Sequence, residues 1–132
     1  MSLMGLDVGT TGCKTAVFSL DGNLLALEYI EYDFLSPEVG WAQLDTFDIW
    51  EKIKFTIKKA LSKTSTDPVT ALAVASLGEA VVPVTANRQV LGPSMLNFDI
   101  RGQEYLEYLA DRIDNNHLYK INGNTLGNHY SL

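Results

Sequence analysis

Short apolar runs separated by turn residues open the chain, and their period changes at Asp45. The runs flanking Gly9-Thr10-Thr11-Gly12 have strand character, Cys13 to Leu20 being rich in β-branched and aromatic residues, so a tight glycine-permitted turn is predicted between two strands. Asp21-Gly22-Asn23 is a second turn signal and Leu24 to Tyr32 a third strand, which gives an antiparallel meander of three. Asp33 to Gln43, with Pro37 and Gly40, reads as a loop carrying Trp41. Asp45-Thr46-Phe47-Asp48 then supplies a helix N-cap with an acidic residue three places on. Ile49, Ile53, Ile57, Ala60 and Leu61 recur at helical spacing with Trp50 beside them, a stripe expected to pack as core against the sheet.

Lys63 to Pro68 ends that helix, and Val69 to Ser76 is apolar without alternation, as in a strand buried on both faces. Ala80 to Thr85, Ala86-Asn87-Arg88 and Val90-Leu91 form a small hairpin pattern. Ser94-Met95-Leu96 reads as a short strand delivering Asn97 to Arg101. A helix is predicted from about Gly102 to Ile113, with Tyr105, Leu106, Leu109 and Ile113 on one face. The tail Asn115 to Leu132, rich in Asn and Gly, is expected to add no further apolar element. The order of elements predicts an α/β domain in which a mixed sheet carries helices on its faces and places ligands at strand ends.

The 132 residues, 46% hydrophobic and 20% charged, are enough for one compact domain with a real core. A net charge of −6 argues against nucleic acid or an anionic membrane as the main partner, because both need clustered Lys and Arg. The single Cys13 cannot form an internal disulfide; it fits a reducing, cytoplasmic setting and a packing role. No signal peptide is expected ahead of Asp7, and Met1-Ser2-Leu3 before a second Met reads as an added leader.

The chemistry gathers at the first turn. Asp7, at the end of the first strand, is suited to hold a hydrated Mg²⁺, a hard ion that takes oxygen ligands and keeps several waters. Gly9 and Gly12 let backbone N–H groups approach a phosphate, Thr10 and Thr11 add hydroxyl donors, and Lys14 adds a cation. The helix-opening P-loop spacing is absent, and an apolar run stands where its helix would begin. An ordinary Gly-rich hairpin whose Asp and Thr serve only the turn is the plainer alternative.

The turn resembles the first phosphate motif of the ribonuclease-H-like superfamily of actin, Hsp70 and sugar kinases. Further segments resemble its FGGY carbohydrate kinases, which include xylulose, glycerol and gluconate kinases: Asp21-Gly22-Asn23 after the second strand, Gly40-Trp41-Ala42-Gln43-Leu44-Asp45, Ser76-Leu77-Gly78-Glu79-Ala80, Leu91-Gly92-Pro93-Ser94-Met95-Leu96 and Ile121-Asn122-Gly123-Asn124. The resemblance implies an ATP-dependent kinase with Asp7 at Mg²⁺ and Gly9, Thr10, Thr11 and Lys14 at the ATP phosphates. It further implies that Gly78, Glu79, Asp99 and Arg101 line part of a sugar or polyol pocket. An ionised carboxylate accepts from two hydroxyls and bonds them strongly, which suits Glu79 to that task, a charged residue in the loop after the strand being the plainer alternative. For Asp99 and Arg101 an ion pair that orders the loop is the equal alternative. Trp41 can face a sugar ring or pack its loop, and His117 and His129 have no companions at metal-ligand spacing.

Two departures bear on the sugar. Asn97-Phe98-Asp99 stands where the family commonly has Trp-Asn-Asp, and Leu77 where it often has Gln. The catalytic aspartate and the adenosine site of the family are expected beyond Leu132, so residues 1–132 read as an incomplete first domain with no catalytic base of their own. A homodimer is one assembly open to the full-length protein. The alternatives from other classes are an Hsp70- or actin-like ATPase lobe and a non-catalytic sugar- or nucleotide-sensing domain.

Overall fold

The period-two runs become strands as their pattern dictates. The computed structural model describes residues 1–127. In chain order its elements are β1 (Ser2–Val8), β2 (Gly12–Ser19), β3 (Leu24–Glu31), β4 (Gln43–Leu44), α1 (Thr46–Lys63), β5 (Val69–Ser76), β6 (Ser94–Met95), a 3₁₀ turn (Gln103–Tyr105), α2 (Leu106–Ala110) and α3 (Asn115–Asn122). Instead of one packing unit there are two. The first holds Met1–Phe34 and Asp45–Leu77, the second Leu35–Leu44 and the chain from Gly78 onward.

In the first unit the antiparallel meander β1–β2–β3 forms as predicted, and β5 joins it parallel to β1, giving the order β3-β2-β1-β5. Alternation decides the faces. Ser2, Met4 and Leu6 of β1 and Cys13, Thr15 and Val17 of β2 are buried, while Leu3, Asp7, Lys14 and Phe18 between them are exposed. Met4, Val17, Ala26 and Ala60 form the core, with Ile57 and Val69 packed against it. β1 begins at Ser2, ahead of Met4, because Ser2 pairs with Ser19; its hydroxyl also donates to the Asp67 carbonyl at 2.8 Å.

Asp45 caps α1 through its carboxylate, which accepts from the N–H groups of Phe47 and Asp48. The buried positions of α1 are Ile53, Thr56 and Ala60, with Ile49 and Ile57 half-buried. Leu61 and Trp50, placed in or beside the core stripe by their spacing, are exposed. Thr56 takes a core place through hydrogen bonding: its hydroxyl accepts from Thr15 at 2.9 Å and donates to the Ile53 carbonyl at 3.0 Å. Cys13 is fully buried beside it, and burial pushes its thiol up.

The expectation for β5 needs correction. It is a strand over the predicted residues, but Leu72 and Val74 are 54% and 60% exposed. Its apolar pattern suits cover on both faces, whereas α1 packs on β2 and β3.

In the second unit β4 and β6 pair antiparallel, and the expected hairpin closes through a Val84–Val90 bridge with the Arg88 N–H on the Thr85 carbonyl. The single helix expected from Gly102 to Ile113 is broken. Gly102 sits at φ +92, a 3₁₀ turn follows, and α2 ends at Ala110. Asp114 must be extended to cap the next helix, with its carboxylate accepting from the Asn116 N–H, so helical backbone cannot run through it. That helix, α3, is an element the polar tail was not expected to hold; left-handed Gly123 closes it. His129 lies outside the described residues, and His117 is exposed on α3. Among the described residues no helix is long and apolar enough to cross a membrane.

Candidate phosphate turn and carboxylate loop

The β1–β2 turn is built by pairing on both sides of it. The Gly9 N–H donates to the Gly12 carbonyl at 2.9 Å, and the Tyr32 N–H donates to the Thr11 carbonyl at 3.1 Å. The Tyr32 phenol donates to the Gly9 carbonyl at 2.6 Å. Neither Gly9 nor Gly12 has positive φ, so a left-handed backbone is not what requires glycine here. Close approach does: a Cβ on Gly12 would stand 2.7 Å from the Ile30 carbonyl oxygen and from the Tyr29 ring. One on Gly9 would stand 3.2 Å from the Gly12 carbonyl oxygen.

What the turn leaves open defines its chemistry. Among the described residues no acceptor takes the N–H groups of Thr10, Thr11 or Gly12, and the two threonine hydroxyls make no hydrogen bond. Asp7 and Lys14 are directly paired across β1 and β2 on the exposed face, without an ion pair between them among the described residues. The Lys14 ammonium lies 5.8 Å from the centre of the Tyr29 ring. Three open N–H donors, two hydroxyls and a cation suit an anion. The exposed Asp7 carboxylate suits Mg²⁺ that keeps its waters and takes phosphate oxygens, because that ion needs only one or two protein carboxylates. No group of three His, Cys, Asp or Glu at metal-binding distance occurs among the described residues.

In the second unit Glu79 is exposed and held at φ +60, next to exposed Gly78. A non-glycine residue in that region costs roughly 1 kcal/mol or more. Asp99 is the opposite case. It is 5% exposed, and its carboxylate accepts from the Ala42 N–H at 2.8 Å, the Arg101 N–H at 2.8 Å and Arg101 Nε at 2.9 Å, with Arg101 Nη2 closing an ion pair. The Arg101 guanidinium, followed by the two backbone N–H groups, holds the Asp99 carboxyl down at about 2, against burial. Arg101 also lies over the Trp41 ring at 4.2 Å, which occupies one face of the indole. Gly40, at φ +82, receives the Ile100 N–H at 3.0 Å. The ion pair that orders the loop, one of the two readings open for Asp99 and Arg101, is therefore present in the structure.

Tyr32 enters the sequence pattern only as the end of the third predicted strand. It continues the inward set Ala26, Glu28 and Ile30 by period two, and that signal places its ring beneath the turn.

Residues 2–132 match the N-terminal domain of the FGGY family of carbohydrate kinases. The chain belongs to that family. A glycerol kinase from Synechocystis is 32% identical to this FGGY chain over 72 residues, 54% of this chain and 14% of that protein. Among solved structures, a xylulose kinase from Rhodospirillum rubrum superposes with a TM-score of 0.84 at 23% identity, covering 90% of this chain and 25% of that one. A Plasmodium falciparum glycerol kinase solved with ADP gives 0.85 at 15% identity, covering 98% and 27%. These likenesses establish the ribonuclease-H-like α/β fold shared by actin, Hsp70 and sugar kinases. The FGGY chain spans about a quarter or less of the length of these relatives.

Proposed function

We propose that residues 1–132 are the first part of the N-terminal domain of a cytoplasmic kinase that transfers the γ-phosphoryl group of Mg-ATP to a hydroxyl of a sugar or polyol. The observation that carries this reading is the β1–β2 turn, with three N–H donors lacking acceptors among the described residues beside the facing Asp7 and Lys14. Gly9, Thr10, Thr11, Gly12 and Lys14 bind the phosphates, and Asp7 holds the metal; Mg²⁺ when bound neutralises developing charge on the transferred group. Glu79 accepts from acceptor hydroxyls, and its left-handed backbone is the kind of local strain that gathers at binding sites. Asp99 and Arg101 shape the loop near Trp41 and serve the acceptor by positioning. The general base lies beyond Leu132, so the isolated 132 residues turn nothing over. A homodimer of the full-length protein is compatible with this reading.

The test is ADP release by the full-length protein with Mg-ATP and a panel of pentuloses, hexuloses, polyols and aldonates. Stimulation by one class is the expected result and names the acceptor. ATP binding without stimulation by any of them would move the assignment to a switch-like ATPase lobe or a sensor.

A further inference from the structure

The phosphate turn is held from beneath by one residue. Tyr32 directly follows β3 and is 4% exposed. Its N–H takes the Thr11 carbonyl and its phenol takes the Gly9 carbonyl, so a single side chain and its own amide fix the carbonyls on either side of Thr10. In a planar trans peptide the C=O and the following N–H point in opposite directions, and the chain has no cis peptide. The Gly9 carbonyl shares its peptide with the Thr10 N–H, and the Thr11 carbonyl shares its own with the Gly12 N–H. Turning both carbonyls toward Tyr32 therefore turns the Thr10 and Gly12 N–H groups away from it.

Gly9 and Gly12 face each other across the hairpin, and the Gly9 N–H already reaches the Gly12 carbonyl. In an ordinary two-residue hairpin the reverse bond closes the turn, with the Gly12 N–H on the Gly9 carbonyl. Here the phenol occupies that carbonyl at 2.6 Å, and no described residue accepts the Gly12 N–H. The ring is held in turn, with the Lys52 ammonium 5.7 Å from its centre.

We propose that Tyr32 is a positioning residue for the nucleotide: by holding the Gly9 and Thr11 carbonyls it keeps the Thr10 and Gly12 N–H groups open for phosphate oxygens. The inference rests on the phosphate reading of the turn given above. It assigns the hydroxyl, rather than the ring, the functional task. A phenylalanine at 32 keeps the packing and releases the Gly9 carbonyl, which then recaptures the Gly12 N–H and removes one donor from the ligand.

The experiment compares the unaltered full-length protein with Tyr32→Phe in three measurements: the Kd for Mg-ATP, the midpoint of thermal unfolding, and amide exchange at Gly12 without nucleotide. The expected result is a Kd raised about five- to tenfold, the worth of one hydrogen bond. Gly12 exchange slows in the variant and the unfolding midpoint is preserved. An unchanged Kd overturns the proposal, as does Gly12 exchange that fails to slow. A Kd raised together with a lowered unfolding midpoint also overturns it, because that marks a packing role. Failure of the unaltered protein to bind Mg-ATP overturns the phosphate reading itself and is recognised before any variant is made.

Discussion

In the β1–β2 turn three consecutive N–H groups have no acceptor among the described residues; in the loop at Asp99 the carboxylate is already supplied with donors from Ala42 and Arg101. Both segments carry acidic and basic residues close together, and both fall within the stretch that matches the same family domain. Their hydrogen bonding separates them. The turn is partly exposed, with Thr11 open and Gly12 buried; donors that reach water there exchange it for phosphate oxygens at little cost. A buried carboxylate bound by a guanidinium and two amides would have to surrender those bonds before accepting from a sugar, and leaving the arginine unpaired is expensive. Charge and proximity alone do not make a ligand site; unfilled hydrogen-bonding capacity does.

Substitutions sharpen the contrast, beginning with the loop. Gly40→Ala combines a left-handed φ of +82 with a Cβ that would overlap the Ile100 side chain. We expect a loss of about 3 kcal/mol in denaturant unfolding, from backbone strain and overpacking together. At the turn, Asp7→Ala is expected to lower kcat/KM for Mg-ATP about a hundredfold, or ~2.7 kcal/mol of transition-state stabilisation, while the unfolding midpoint stays in place. If Asp7 served the fold instead, the midpoint would fall with the activity.

Asp99→Asn is expected to cost about 2 kcal/mol of stability, and pH reaches the same interaction without mutation. The folded carboxyl titrates at about 2 against 3.8 for the ordinary group. Between those values the unfolded chain binds the extra proton. The contribution of Asp99 is therefore complete above pH 3.8 and is lost as pH falls through about 2. Unfolding curves of wild type and Asp99→Asn should converge over that window; parallel curves would remove Asp99 from the account.

The meander and α1 are legible in the sequence because local chemistry decides them. Period-two alternation sets the sheet faces, Asp21-Gly22-Asn23 places Gly22 at φ +83, and Asp45 caps the helix as its position suggests. The cap of α3 is equally legible at Asp114 and Gly123, but a count of apolar residues passes over it. Exposure of β5 is not legible, because an apolar run states what a strand can bury and not what covers it. At the candidate site the residue types that suit phosphate are visible in order along the chain. The open Thr10 to Gly12 amides and the φ of Glu79 are properties of the folded backbone, and the filled state of Asp99 comes from Ala42 and Arg101. Tyr32 is separated from Gly9 by 23 positions, and only the pairing of β3 with β2 brings it beneath the turn.

Residue-resolved amide exchange of the full-length protein, with and without Mg-ATP, tests the central contrast most directly. The account predicts that nucleotide slows exchange at Thr10, Thr11 and Gly12 while the amides of Ala42 and Arg101, already bound to Asp99, keep their rates. Unchanged exchange at the turn under saturating Mg-ATP would contradict it.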